Sequence, residues 1–340
     1  MQGYSDIAAE AWLATFAVGR PDLARLIAAN GSNSHALLDA LSGLYAARRA
    51  DELGAIGLLC RRSDAQLSEL TYLCDRFRRH GLDARIVHSD ELVRRRGYLE
   101  HAGQPLQLIY RHLFVSRLDS QPAPDLEAAM VDTSGAGTLI LNPATPHLEM
   151  KSTLAWLSQT AESPALAEAI GLDDDERDAI ATSVPWTRPL HANDTDLLSA
   201  VREQPEAFVL KRSWSYGGNE VFVGRAHETS GFLTRVHALY PDVHAWPDLC
   251  TRAAHDARGG GFVVQRALPR IENEQFLCTP TSTQRAEVIT DYSAYASLGV
   301  SPAWSGVCRA AASDVVNIVG GGAVVPILRR EVADQLLATL

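Results

Sequence analysis

The sequence predicts an α/β protein with an α+β clamp attached. Three observations carry that expectation. Short apolar runs alternate with helix-period stretches between residues 53 and 140. Two further apolar runs, Phe208-Val-Leu210 and Val221-Phe-Val223, bracket a glycine-bearing loop. A glycine triplet, Gly259 to Gly261, precedes the apolar run Phe262-Val-Val-Gln-Arg-Ala-Leu268, which suggests a hinge or a mobile loop.

In chain order, residues 5–18 carry a weak amphipathic helical pattern with Ile7, Trp12, Leu13 and Phe16. In Val18-Gly-Arg-Pro-Asp-Leu23, Arg20 and Asp22 would share one face of an extended chain. A short strand ending at Asn30 and a helix from Leu37 to Tyr45 follow. Ala55 to Cys60 reads as a buried strand. Ser63 to His80 reads as a helix, with Leu67, Leu70, Leu73, Cys74 and Phe77 on one face and Gly81 past its end. Ala84 to His88, Gln107 to Arg111 and Thr138 to Leu141 are further strands, with helices expected at Ser89 to Arg96 and Asp125 to Met130. Arg94-Arg95-Arg96 reads as a solvated helix face. Strands alternating with helices imply a mostly parallel sheet with ligands near the strand C-terminal ends.

Beyond Asn142-Pro143, Lys151 falls on a helix with Leu154, Trp156 and Leu157, and the acidic run Asp173 to Glu176 starts another. Val184-Pro-Trp-Thr-Arg-Pro189 reads as an extended linker, Gly231 to Tyr240 as a helix, and Ala286 to Asp291, Gly306 to Arg309 and Ala323 to Leu328 as strand segments. Glu331 to Leu340 closes the chain as an amphipathic helix.

At 340 residues the chain suits roughly two domain-sized units. With 46% hydrophobic and 21% charged residues it has the apolar mass of an ordinary globular protein. A formal charge of −10 argues against a dedicated nucleic-acid binder. Cys60, Cys74, Cys250, Cys278 and Cys308 form no C-x-x-C pair and no zinc spacing; they read as reduced, mostly buried thiols of a cytoplasmic protein. No signal peptide is expected, and no apolar run reaches the ~20 residues needed to span a bilayer, so no membrane partner is expected.

The chemistry concentrates in Ala207 to Arg225. Lys211 ends a strand beside Ser213-Trp-Ser-Tyr-Gly-Gly-Asn219, where Gly217 and Gly218 allow backbone amides to approach an anion. Lysine beside such a loop suits a polyphosphate. A plain β-hairpin with a solvated lysine is the competing reading. There is no G-x-x-x-x-G-K-[ST], and protein kinases place the glycine loop before the lysine rather than after it. No H-E-x-x-H or G-x-S-x-G is present.

The order strand, lysine, glycine loop, strand resembles the ATP-grasp superfamily, and the succession of motifs from Gly19 to Leu328 resembles its circularly permuted, glutathionylspermidine synthetase-like group. Arg20-Pro-Asp22 is similar to the family's R-x-D strand, and Tyr110-Arg111 to a recurring Tyr-Arg. Asn142 with Lys151 resembles the pair supplying the first nucleotide lysine; Lys211 matches the second. Val263 to Arg266 looks like the hinge strand that meets adenine. Gly306 to Arg309, with Asn317 to Gly322, is similar to the segment around the reactive phosphate.

The resemblance implies an ATP-grasp fold with a Rossmann-like α/β domain before it. Residues 1–50 would complete the active site, 51–141 form the α/β domain, and 142–340 form the nucleotide-binding region, with a small clamp at about 186–261. It implies ATP-dependent ligation of a small-molecule carboxylate to an amine through an acyl phosphate, in a protein for which a homodimer stays open. Lys151, Lys211, Ser213, Ser215, Gly217, Gly218, Gln265, Arg266 and Ala267 would bind ATP. Arg309 and Arg20 would stabilise the transferring phosphoryl group, and Asp22 and Asn30 would ligate Mg2+. Ala28 stands where the family usually has glutamate, so a third ligand would come from Glu10, Glu287 or Asp291, or one metal site is incomplete. A phosphotransferase and a nucleotide binder without catalysis are the rival readings.

Overall fold

The computed structural model describes residues 2–16, 19–120, 122–132, 134–270, 272–278, 282–296, 306–318 and 321–339. Val18 and Gly320, part of two motifs named above, lie outside the described residues. Among the described residues the chain is a mixed α/β structure with thirteen α-helices and several sheets. It divides into two compact units. One comprises Met1–Ala144, Thr290–Ala310 and Ile318–Leu340; the other Thr145–Ile289 and Ala311–Asn317.

The first unit is built on a four-stranded sheet ordered Asp83–Val87, Ala55–Leu59, Leu108–Arg111, Leu139–Leu141, with every pairing parallel. Ile56, Leu58 and Leu59 of a central strand are wholly buried, as the continuous apolar run requires of a strand covered on both faces. Helix Leu67–Arg79 packs Leu70, Leu73, Cys74 and Phe77 into the same core.

Residues 89–96 differ from the expected helix. Ser89–Glu91 makes one 3-10 turn, and Leu92–Arg95 then pairs antiparallel with Tyr98–His101, itself paired with Gln104–Leu106. Two dipeptides explain the difference. Arg96-Gly97 takes φ of 50° and 87°, and Ala102-Gly103 takes 52° and 74°. Two consecutive positive φ values are what a two-residue hairpin turn needs. Arg94 is accordingly not on a solvated helix face; it pairs with Asp132.

The N-terminal segment also differs. Arg20 to Asn30 is not extended: Pro21–Ala29 is a helix. Pro21 sits at its first position, where the missing N–H costs nothing, and Asp22 lies in its first turn, where the helix dipole favours an anion. Farther along the chain, Gly306–Ala311 pairs antiparallel with Ala323–Val325, through Arg309 opposite Val324. Arg330–Thr339 is the closing helix.

The second unit holds an antiparallel sheet ordered Val221–Val223, Phe208–Arg212, Phe262–Arg266, Thr187–Leu190. The stretch expected to be a linker therefore supplies an edge strand, and the edge is where Pro189 is tolerated. Residues alternate across this sheet. Phe208, Leu210, Phe222, Phe262 and Val264 turn into a core closed by helices Ser230–Leu239 and Trp246–His255. Trp246 is buried, and its indole N–H donates to the Val201 carbonyl at 2.8 Å. Lys211 points to the other face of the sheet, because the strand period is two.

Candidate functional site

Lys211 lies on a central strand, directly opposite Val263 of the neighbouring strand. Gln265, two residues beyond Val263, shares its face of the sheet. The Lys211 ammonium donates to Gln265 Oε1 at 2.5 Å. Gln265 Nε2 donates in turn to Thr187 Oγ1 at 2.9 Å, and Thr187 donates to the Pro185 carbonyl at 2.7 Å. A row of hydrogen bonds thus fixes the direction of the lysine. The sequence leads one to expect Gln265 beside adenine; in the structure its side chain orients Lys211.

Lys151 reaches the same neighbourhood through Ser213. The backbone N–H of Lys151 donates to the Ser213 carbonyl at 2.9 Å, and that of Ser152 donates to Ser213 Oγ at 3.0 Å. Ser213 is fully buried, so its hydroxyl serves this junction. Lys151 is the residue capping helix Ser152–Glu162, and its ammonium donates to the Ser215 carbonyl. It also lies 6.0 Å from the Tyr216 ring centroid. Two lysines sixty residues apart in the chain are brought into electrostatic contact by a serine two positions past one of them.

Neither ammonium pairs with a carboxylate among the described residues. Burial, then the charge of Lys211, pushes Lys151 down from 10.5 to about 8, with Glu220 acting the other way. Burial also lowers Lys211. Two desolvated cations that repel each other form a site in need of an anion. The sign of the pH dependence follows. Between pH 8 and 10.5 the unfolded chain keeps a proton on Lys151 that the folded chain has released, so folded stability rises with pH there. Anion binding requires the ammonium, so affinity for a polyphosphate is expected to fall above about pH 8, approaching tenfold per pH unit. Calorimetry at pH 8 in buffers of different ionisation enthalpy should record proton uptake on binding; zero uptake would remove Lys151 from the site.

The loop between the strands carries Gly217 and Gly218 at φ of 64° and 76°. Gly218 has no room for a side chain: a Cβ there would stand 2.8 Å from Val315 Cγ1. Ser215 Oγ donates to the Asn219 carbonyl at 3.1 Å, and Asn317 donates to the Gly217 carbonyl. At the expected hinge, the amides of Arg266 and Ala267 donate to the Trp186 and Ala207 carbonyls, both at 2.9 Å.

Behind the loop lies a network that sequence reasoning did not find. Arg212 is 5% exposed. It bonds Asp256 at 2.7 Å, Glu220 at 2.6 Å and the Tyr240 hydroxyl at 3.0 Å, and stacks 4.5 Å from the Phe262 ring centroid. Glu220 is held at φ of 51°, in the left-handed region, and also accepts from Tyr240 at 2.5 Å. Strand alternation places Arg212 with Phe208 and Leu210 on the core face, and a cation there demands buried partners. That was the available signal; its partners are scattered along the chain.

The other predicted residues belong to the first unit. Arg20 and Asp22 pair with each other at 2.8 Å, and that contact holds Asp22 down to about 2. Both ends of the Asn30 amide are engaged: Nδ2 donates to the Ile327 carbonyl at 2.7 Å, and Oδ1 accepts from the Arg329 N–H at 2.6 Å. Arg309 forms a two-pronged pair with Asp291, one arm at 2.8 Å. Arg111 donates to the carbonyls of Asn142 at 2.6 Å and Pro143 at 3.0 Å, tying two strand ends together. As placed, Asp22 and Asn30 do not fit a magnesium site, and no group of three His, Cys, Asp or Glu side chains comes together for a metal among the described residues.

No family model matches the chain, and no curated protein matches it. Similar solved structures include a glutathione synthetase-like effector, GSS30, from Globodera pallida in its apo form, with 11% identity and a TM-score of 0.47 over 87% of this chain. This chain spans 60% of the length of that protein. A protein provisionally designated gamma-glutamylcysteine synthetase from Methylobacillus flagellatus KT gives 12% identity and 0.43, covering 86% of this chain and 72% of that one. D-alanyl-alanine synthetase A from Vibrio cholerae O1 biovar eltor gives 12% identity and 0.35, covering 71% and 68%.

Proposed function

We propose that this protein is an ATP-dependent carboxylate–amine ligase of ATP-grasp type, acting on small molecules. The observation that supports it most is the pair Lys151 and Lys211: two buried ammonium groups, oriented by Ser213, Ser215 and Gln265, with no carboxylate partner among the described residues. The motif order in the sequence supports the same reading. The likenesses to solved structures add no weight to it.

In this reading the two lysines neutralise adjacent phosphates of ATP, and the Gly217-Gly218 loop lies over them. The substrate carboxylate attacks the γ-phosphorus; the acyl phosphate forms and ADP departs. The amine then attacks the acyl carbon, inorganic phosphate leaves with the bonding pair, and the amine's proton is lost to water, giving an amide. The roles of Arg309 and Arg20 rest on the resemblance alone. So does magnesium, which would supply charge neutralisation on the polyphosphate.

The deciding experiment measures ATP-dependent phosphate release against a set of small acids crossed with a set of amines. A ligase releases phosphate only when acid and amine are both present. A phosphotransferase yields a phosphorylated product without amine. A protein stabilised by ATP that never turns over is a binder. Absence of any thermal stabilisation by ATP would sink all three readings.

A further inference from the structure

Helices Asn33–Ala46 and Leu67–Arg79 of the first unit leave a groove of about 320 Å³ between them, lined by Ser32, Ser34, His35, Arg76, Phe77 and His80. Nothing in the proposed ligase chemistry uses these residues. Arg76 and His80 are four apart and share a face of the second helix and its end, while His35 comes from the first turn of the first. The two imidazoles lie with ring centroids 5.0 Å apart. Phe77, wholly buried, forms the apolar floor.

The polar atoms of the lining favour an anion. Arg76 makes one long ion pair, to Glu10 at 3.6 Å, and that carboxylate also accepts from the Tyr72 hydroxyl at 2.8 Å, so the guanidinium keeps N–H groups for a further acceptor. His35 faces Asp39 at 3.5 Å. Asp6, behind the groove, is consumed by the Ser32 hydroxyl and by the N–H groups of Asn33 and Ser34, at 2.6, 2.8 and 2.9 Å. Ser34 is 1% exposed, and its hydroxyl has no hydrogen-bond partner among the described residues. The lining itself contains a guanidinium, two imidazoles and the uncommitted Ser34 hydroxyl, and no carboxylate; the Ser32 hydroxyl is spent on Asp6. We propose that this groove binds the anionic group of a small molecule, a phosphate monoester or a carboxylate, with Arg76 as the fixed cation and His35 and His80 as flanking donors. A fork of guanidinium N–H groups suits either oxyanion.

The test uses the full chain carrying Lys211→Met, so that binding at the lysine pair does not contribute. The imidazole NMR signals of His35 and His80, assigned with His35→Gln and His80→Gln, are followed while inorganic phosphate or acetate is added against sodium chloride at equal ionic strength. The expected result is a saturable shift of both signals, with a dissociation constant on the order of 1 mM. Arg76→Gln should weaken it by about tenfold or more, with an unchanged melting temperature as the folding control. Saturation by phosphate alone assigns a phosphate monoester; by acetate alone, a carboxylate; by both, either oxyanion. Shifts that track chloride, or that persist unchanged in Arg76→Gln, overturn the proposal.

Discussion

Lys211→Met is expected to remove nucleotide-dependent thermal stabilisation while leaving the ligand-free protein as stable as before or more so. The methionine keeps the apolar stem and removes the charge. A hydrogen bond to a charged group contributes about 1.5–3 kcal/mol, so affinity for ATP should fall about 10- to 100-fold. The ligand-free protein loses a buried cation bonded, among the described residues, to a neutral amide, and relief from Lys211 should let Lys151 titrate higher. Fluorimetric melting with and without a non-hydrolysable ATP analogue reads both effects. A melting shift in Lys211→Met equal to that of the parent would place the nucleotide elsewhere.

The second large effect is on stability. Arg212→Met should destabilise the protein by about 3 kcal/mol, because it removes the buried cation shared by Asp256 and Glu220 and leaves them Arg258 and the Tyr240 hydroxyl. Asp256 is held below the ordinary carboxylate range by its bonds to Arg258 and then Arg212, against the opposing cost of burial. A carboxyl whose folded pKa is lowered lends stability that is present above its usual pKa of 3.8 and lost as pH falls below it. Urea melts should therefore show a steeper loss of stability in acid for the parent than for Asp256→Asn. A loss below about 1 kcal/mol for Arg212→Met would show that the network is dispensable. The glycine loop should also suffer, since Glu220, held in the left-handed region, closes it.

Much of this was legible in the residues, for identifiable reasons. The four parallel strands are short apolar runs, and burial on both faces writes that pattern directly into the chain. Lys151 and Lys211 stand out in the sequence by their place beside a strand and a glycine loop, and in the structure the charge of Lys211 is felt at Lys151. What misled was local chemistry with two readings. Arg20 and Asp22 share a face in a strand, but Pro21 between them also starts a helix, and the helix prevailed. Arg96-Gly97 was overlooked as a turn because arginine rarely adopts positive φ. Arg212 has hydrogen-bond partners up to forty-six residues away, and no spacing rule reaches them. Gln265 is legible as a polar residue on a hinge strand, but only the register of three strands reveals that its amide aims a lysine.

The clasp of Asn30 on the backbone of Ile327 and Arg329 bears on how the chain is made. Its two halves are almost three hundred positions apart, and the first unit draws on the stretches 1–144, 290–310 and 318–340. At about 5–20 residues per second, a ribosome needs on the order of 10–40 s to deliver the last pieces after the first stretch has emerged. During that interval helix Pro21–Ala29 lacks its packing partner, the closing helix Arg330–Thr339, so expression yield should depend on chaperone supply and on translation speed.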